Sequence, residues 1–178
     1  MSSVLALLLA IGVVLPEPLA LNAVREPAAL EVGVELHMEI PAELVEALDA
    51  GAEVRLAYPI RVKAKRRTLW DRKLWSGELI TIAVFDPVTG RYRCEVVLDG
   101  LITSSGEAES AVEARRWLTH PPPVRIELPE ERREADVRVR ARAVFARGTT
   151  WLIFPTQRDT PWIEVVLAHG TAAAGSEP

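Results

Sequence analysis

Three stretches of this chain alternate apolar and polar residues too regularly for anything but strands. Between Leu30 and Ile40, Leu30, Val32, Val34, Leu36, Met38 and Ile40 fall on one face, and Glu31, Glu35, His37 and Glu39 on the other. From Glu53 the apolar parity is Val54, Leu56, Tyr58, Ile60, Val62 and Ala64, opposed by Arg55, Arg61, Lys63 and Lys65. Val137, Val139, Ala141, Ala143 and Phe145 alternate in turn with Asp136, Arg138, Arg140 and Arg142. Successive side chains of a strand point to opposite faces, so the pattern predicts half-buried strands with one core side and one wet side. The arginine row is then a solvated strand face. Pro59 sits on the outward parity and predicts an edge strand or a bulge, because proline cannot donate to a ladder. The acidic row Glu31, Glu35 and Glu39 is expected to complement the basic row of the second stretch across a strand pair.

The connections supply the rest of the architecture. Pro41, Leu44, Val45 and Leu48, stopped by Gly51, predict one short helix. Two alternating runs on either side of Asp86-Pro87-Val88-Thr89-Gly90 predict a hairpin, and Cys94 falls on its apolar parity as a small core residue. Ser104 followed by Glu107 has the form of a capping box and predicts a second helix that ends near His120, where three prolines follow. Val124 to Leu128 begin another extended segment, and "TTWLIFP" and "WIEVVL" predict two more strands around a turn from Gln157 to Pro161. The expected fold class is α+β: a mainly antiparallel twisted β-sheet or sandwich of about seven strands with two short helices.

Val4 to Leu15 form an uncharged apolar run of twelve residues, followed by Pro16, Glu17 and Pro18. A bilayer span needs roughly 20 apolar residues. The run has the length of a secretory h-region, with Ala20 or Ala23 at the expected cleavage site. No Lys or Arg precedes it, so an uncleaved anchor and a buried or interfacial helix stay open. Residues 1–23 are therefore read as a signal peptide or N-terminal membrane anchor, 30–167 as a single β-rich domain and 168–178 as a disordered tail. The expected location is periplasmic, on the extracytoplasmic side of a bacterial inner membrane.

Catalytic chemistry has little to work with. His37, His120 and His169 are far apart in sequence, and no Cys-His cluster, glycine-rich phosphate loop or nucleophile elbow occurs. The expectation is no enzyme, no metal and no cofactor. The single cysteine excludes an intrachain disulfide. A formal net charge of −4 gives no global field for nucleic acid, so any polyanion binding must come from local clustering.

One local cluster exists. The stretch from Arg61 to Trp75 carries seven basic residues and one acid. Strand alternation accounts for Arg61, Lys63 and Lys65 but fails from Arg66 onward, where Arg66, Arg67, Arg72 and Lys73 surround Leu69, Trp70, Leu74 and Trp75. Lying between two long strands, these residues are expected at a projecting hairpin end. In one reading Trp70 and Trp75 fold back over the sheet and Asp71 pairs with a neighbouring arginine. In the other, Arg66, Arg67, Leu69, Trp70, Arg72, Lys73 and Trp75 form a partner-binding tip, because tryptophan with arginine is the composition of interface anchors. The expected function is that of a non-catalytic accessory or scaffold subunit docking on a membrane protein complex or other envelope protein. The alternative is a peripheral binder of anionic lipid or another polyanion through the same segment. Nucleic acid is not an expected partner.

The order of these pieces carries a resemblance. A strand, then "EALDAG", a second strand entering "LWDR", then "FDPVTGRY" and a helix after the hairpin resemble an uncharacterised bacterial family, domain of unknown function 4390. The resemblance covers about Leu30 to Leu167, and the chain departs from the pattern in its Arg- and Pro-rich segment from Arg115 to Arg142. It implies an exported or envelope-associated β-rich domain, and it brings no catalytic residues with it.

Overall fold

The structure is a computed structural model, and it describes residues 17–65, 71–130, 135–145 and 159–168. In chain order the elements are β1 (Leu19–Arg25), β2 (Ala29–Leu36), α1 (Ala42–Asp49), β3 (Val54–Ala64), β4 (Arg72–Asp86), β5 (Arg91–Leu98), β6 (Leu101–Ala108), α2 (Ala111–Thr119), β7 (Val124–Glu127), β8 (Val137–Ala141) and β9 (Ile163–Leu167). Every ladder is antiparallel, in a three-stranded sheet ordered β1-β2-β7 and a six-stranded sheet ordered β6-β5-β4-β3-β8-β9. The smaller sheet brings β1 alongside β9, and α2 lies against β4, β5 and β6. The α+β class, sandwich form and two helices match the sequence, with nine strands among the described residues in place of about seven.

The core is where the alternation puts it. Leu30, Val32, Val34 and Leu36 from β2 meet Val54, Leu56, Tyr58, Ile60 and Val62 from β3 and Val137, Val139 and Ala141 from β8, all buried. Two buried hydroxyls tie α2 to the large sheet. Tyr58 Oη and Thr81 Oγ1 both donate to the Leu118 carbonyl, at 2.7 and 3.0 Å. Leu118 closes the same layer and is itself fully buried.

Four expectations are corrected. The domain begins at β1 rather than at Leu30: Leu19 is fully buried and β1 pairs with β2 from Leu19↔Leu36 to Arg25↔Leu30. A cut after Ala20 or Ala23 would remove Leu19 and sever that ladder. Next, β3 is no edge strand, since β4 and β8 flank it. Pro59 is accommodated where β8 gives out: among the described residues Arg142 N–H reaches its carbonyl at 3.4 Å before the Ala57↔Val144 bridge resumes pairing. The acidic row of β2 does not face the basic row of β3, because the two strands lie in different sheets, and Glu31 stands opposite Arg125 of β7 instead.

The fourth correction moves the second helix. Leu101–Ala108 is strand β6, joined to β5 by a turn with Asp99 at φ 49° and Gly100 at φ 83°. Its ladder with β5 takes the residues that the Ser104–Glu107 pattern offered to a helix. The true cap lies six residues on: Ser110 Oγ accepts from Glu113 N–H at 3.3 Å, and the Glu113 carboxylate accepts from Glu109 N–H at 2.8 Å. "TTWLIFP", the start of the turn at Gln157, and the tail beyond Ala168 lie outside the described residues.

Candidate functional site

The basic stretch is assembled by register. Across β3 and β4, Lys63 stands opposite Lys73, Ala64 opposite Arg72, Arg61 opposite Ser76 and Val62 opposite Trp75, with a bulge between Val62 and Lys63. On the other side of β3, Lys63 meets Arg138 and Arg61 meets Arg140. Two rows therefore cross three strands, Lys73-Lys63-Arg138 and Ser76-Arg61-Arg140. Like charges directly opposed on a sheet are destabilising. Arg61, Lys63, Lys73, Trp75 and Ser76 line one open cleft of about 300 Å³.

The two halves of this basic surface are treated differently. Each arginine of the β8 row has a carboxylate: Arg138 meets Asp71 and Glu164 at 3.2 Å each, Arg140 meets Glu164 at 3.5 Å, and Arg142 meets Asp159 at 3.1 Å. The Trp162 ring lies beneath Arg61, Arg142 and Arg140, their guanidinium carbons 4.5, 5.1 and 5.6 Å from its centroid. The row expected as a solvated face is thus a half-covered ladder of cations, acids and one tryptophan. Lys63 and Lys73 have no carboxylate at ion-pair distance among the described residues.

Trp75 is half-buried on the inward parity of β4 and packs against the core. Gly77 makes room for it, since a Cβ there would collide with the Trp75 ring and with the Asp99 carboxylate. Asp99 closes the neighbouring ladder: its carboxylate accepts from Glu78 N–H at 3.0 Å, and its own N–H donates to the Glu78 carbonyl at 3.1 Å. Strand pairing of β5 with β4 starts one residue later, at Leu79↔Leu98. Among the described residues no strand pairs with Arg72–Gly77 on the side away from β3.

Of the sequence-derived tip, Arg72, Lys73 and Trp75 are placed, with Arg72 and Lys73 exposed, while Arg66, Arg67, Leu69 and Trp70 lie outside the described residues. Asp71 pairs with Arg138, as the folded-back reading expects. The sequence assigned Arg61 and Lys63 to an ordinary wet face and did not single out Ser76 or Trp162. Counting residues back from the turn would have placed Arg61 and Lys63 beside Lys73, whereas nothing local marks Trp162.

A family model, Domain of unknown function (DUF4390), matches residues 19–150. The chain belongs to this family. The match opens on the first residue of β1, the first strand among the described residues, and runs past β8. Comparison with curated proteins and with solved structures returned no match.

The opposite end of this DUF4390 domain has the reverse character. Residues 35–53 carry six acids and no Lys or Arg. Here the chain comes into β1, the Pro18 carbonyl accepting from His37 N–H at 2.9 Å and Met38 N–H at 3.3 Å. Met38, Leu36, Ile40 and Val45 line a second open groove of about 560 Å³, with Arg115 and Thr119 of α2 on its far wall. His37 and His120, remote in sequence, come together there with ring centroids 6.4 Å apart. Glu35 lies 3.7 Å from His37, and Thr119 Oγ1 lies 2.8 Å from Nδ1 of His120. Among the described residues, no group of three or more His, Cys, Asp or Glu is placed to hold a metal ion. No helix among them is long and apolar enough to cross a membrane. Burial pushes the Cys94 thiol up to about 11 and raises the Tyr58 hydroxyl as well, which makes both core groups at neutral pH.

Proposed function

We propose that this DUF4390 protein is a non-catalytic, extracytoplasmic interaction subunit that docks on a membrane protein complex through the far end of the β3–β4 hairpin. The observation that carries the reading is the pair Lys63 and Lys73. They oppose each other across two strands and line a cleft with Arg61 and Trp75, yet no acid among the described residues neutralises them. A sheet tolerates such repulsion at a cost of a few tenths of a kcal/mol to about 1, and an acidic partner would relieve it. The neighbouring arginines, each with its own carboxylate, show what the same fold does with charge it keeps for itself. Location rests on the Val4–Leu15 run, read as an export signal or anchor on the extracytoplasmic side of a bacterial inner membrane. Because β1 begins at Leu19, an export cleavage compatible with the fold falls before that residue.

Anionic lipid is the weaker partner on magnitude. The three cations lining the cleft at about 1 kcal/mol each give roughly 3 kcal/mol, which falls short of millimolar affinity.

The test compares affinity purification from native membranes for the wild-type chain and for a chain carrying Lys63→Glu and Lys73→Glu. The charge-reversed chain is expected to lose a co-purifying protein while its melting temperature stays within a few degrees. Identical co-purifying sets from the two chains would place the docking surface elsewhere. Cell fractionation of Leu8→Arg with Leu9→Arg checks the location, with the variant expected to stay in the cytoplasm.

A further inference from the structure

The length of β4 that has no neighbour on the side away from β3 among the described residues says how a partner would be held. Residues of an antiparallel strand turn their N–H and C=O alternately to one neighbour and then the other. Glu78 turns both groups toward Asp99, on the side away from β3. Ser76, two residues earlier, turns its groups the same way, and among the described residues no backbone group meets them. Ser76 also lines the cleft with Lys73, Trp75, Arg61 and Lys63. Among the described residues, an open sheet edge therefore borders a set of cations without carboxylate partners and a half-buried tryptophan. Exposed edges that a protein does not use are commonly blunted by charge or proline, and here the guarding residues Arg72 and Lys73 would attract an acidic strand as readily as they repel a basic one.

The two ends of the domain also fix which way this edge faces. The chain comes into β1 beside Met38, at the acidic end. β1 then leads to Arg25, whose guanidinium donates to the Ala135 carbonyl at 2.8 Å. The next residue, Asp136, accepts from Lys65 N–H at 2.8 Å, immediately after β3. β1 thus carries the chain from the acidic end to the basic one, a rise of about 20 Å at roughly 3.3 Å per residue. That exceeds the Debye length of about 8 Å at physiological ionic strength. A bilayer holding the Val4–Leu15 run would lie at the acidic end, out of electrostatic reach of the cleft.

We infer that the edge Arg72–Ser76 takes an acidic, extended segment of another protein, added to β4 as a further strand with its carboxylates over Lys63, Lys73 and Arg61. Main-chain hydrogen bonds to β4 supply affinity in such an addition, and the side-chain row beside the edge supplies selectivity. The inference rests on the reading of the hairpin end as the docking surface and names the chemistry of its partner.

The experiment uses the full chain in vesicles of phosphatidylethanolamine and phosphatidylglycerol, with a soluble oligoglutamate peptide as probe and hydrogen exchange as the readout. At a peptide concentration about ten times its Kd, the edge-facing amide of Ser76 is expected to exchange about tenfold more slowly, with smaller changes at the amides of Arg72–Ser76 that face β3. The protection should disappear with Lys63→Glu and Lys73→Glu, and shrink with the milder Lys63→Gln and Lys73→Gln should the reversed chain fold poorly. In parallel, fluorophores at Lys65→Cys and Glu43→Cys report on the bilayer, because the buried Cys94 thiol stays unreactive. Nitroxide-headgroup lipid is expected to quench the label at position 43 and to spare that at 65. Unchanged exchange along the edge overturns the inference, as does protection given by the vesicles alone with quenching at 65, which makes the bilayer the partner. Protection that grows with protein concentration without peptide overturns it in favour of a second copy of the chain. If the peptide fails while the charge-reversed chain still loses its co-purifying protein, only the strand addition is wrong; if both fail, the docking reading goes with it.

Discussion

The two ends of this domain share β3 and β4 but carry charge in opposite ways. At the helical end, α2 is seated by Leu118 and Ala114 in the core and by the Tyr58 and Thr81 hydroxyls on one carbonyl. Its acids are spread along α1 and the segments flanking it, mostly in solvent. At the hairpin end Val62, Ala64, Val137 and Val139 are buried on the inner face, and on the outer face the charge is concentrated in two rows across three strands. Part of it is compensated by Asp71, Asp159, Glu164 and Trp162, and part has no carboxylate partner among the described residues. Apolar burial on the inner face is what lets the outer face of the same sheet carry electrostatic repulsion. At about 2 to 5 kcal/mol for one buried leucine, the core outweighs several like-charge pairs of at most about 1 kcal/mol.

This contrast can be broken most forcefully in the core. Leu118→Ala and Leu56→Ala are each expected to lower stability by about 2 to 5 kcal/mol in urea unfolding, against about 1 kcal/mol or less for Glu35→Ala and Arg55→Ala. Similar losses in the two sets would mean that the helical end is not held by burial. Tyr58→Phe removes one of the two hydroxyls on the Leu118 carbonyl and leaves Thr81 in place, so a loss of about 1 to 2 kcal/mol is expected by the same measurement. Ser110→Ala takes away the cap of α2, worth about 1 kcal/mol, and a null result in thermal melting would show that tertiary contacts alone start the helix. The smallest effect has the opposite sign. Lys63→Gln with Lys73→Gln should raise stability by a few tenths of a kcal/mol to about 1, because it removes two opposed charges and, among the described residues, no ion pair. A decrease would show that the lysines are structural.

How much of this was legible in the sequence follows from what periodicity encodes. Alternation assigns faces, and from Val54 to Ala64 every inward residue was placed correctly, because one slip would have exposed the whole set. It does not assign partners, so the acidic row of β2 was matched to a strand in another sheet. β1 was missed because "LALNAVR" follows an apolar run after just Pro16-Glu17-Pro18 and was absorbed into the reading of a leader. β6 was missed although Asp99-Gly100 announces a tight hairpin turn; the Ser104–Glu107 pattern competed, and pairing with β5 outweighed it. The candidate site was half legible. Its residue types stood out in the sequence and the opposition of Lys63 to Lys73 could be counted between two consecutive strands, while the seat of Trp162 exists only once distant strands are in register.

The long-range closure of the smaller sheet has a consequence for the order of folding. β3 to β6 form a meander whose neighbours are joined by short connections, so it can assemble as soon as those residues are available. β2 must wait for β7, and Arg25 finds the Ala135 carbonyl across a separation of 110 residues. Contacts so distant in sequence slow folding, since the loop must close before its pairing is rewarded. An emerging or threading chain would hold its large sheet half-formed, with the inner face of β3 uncovered, until its last third arrived. Such a chain stays in a threadable state for longer than one built from local contacts, at the price of an interval in which any companion that shields that face decides its fate.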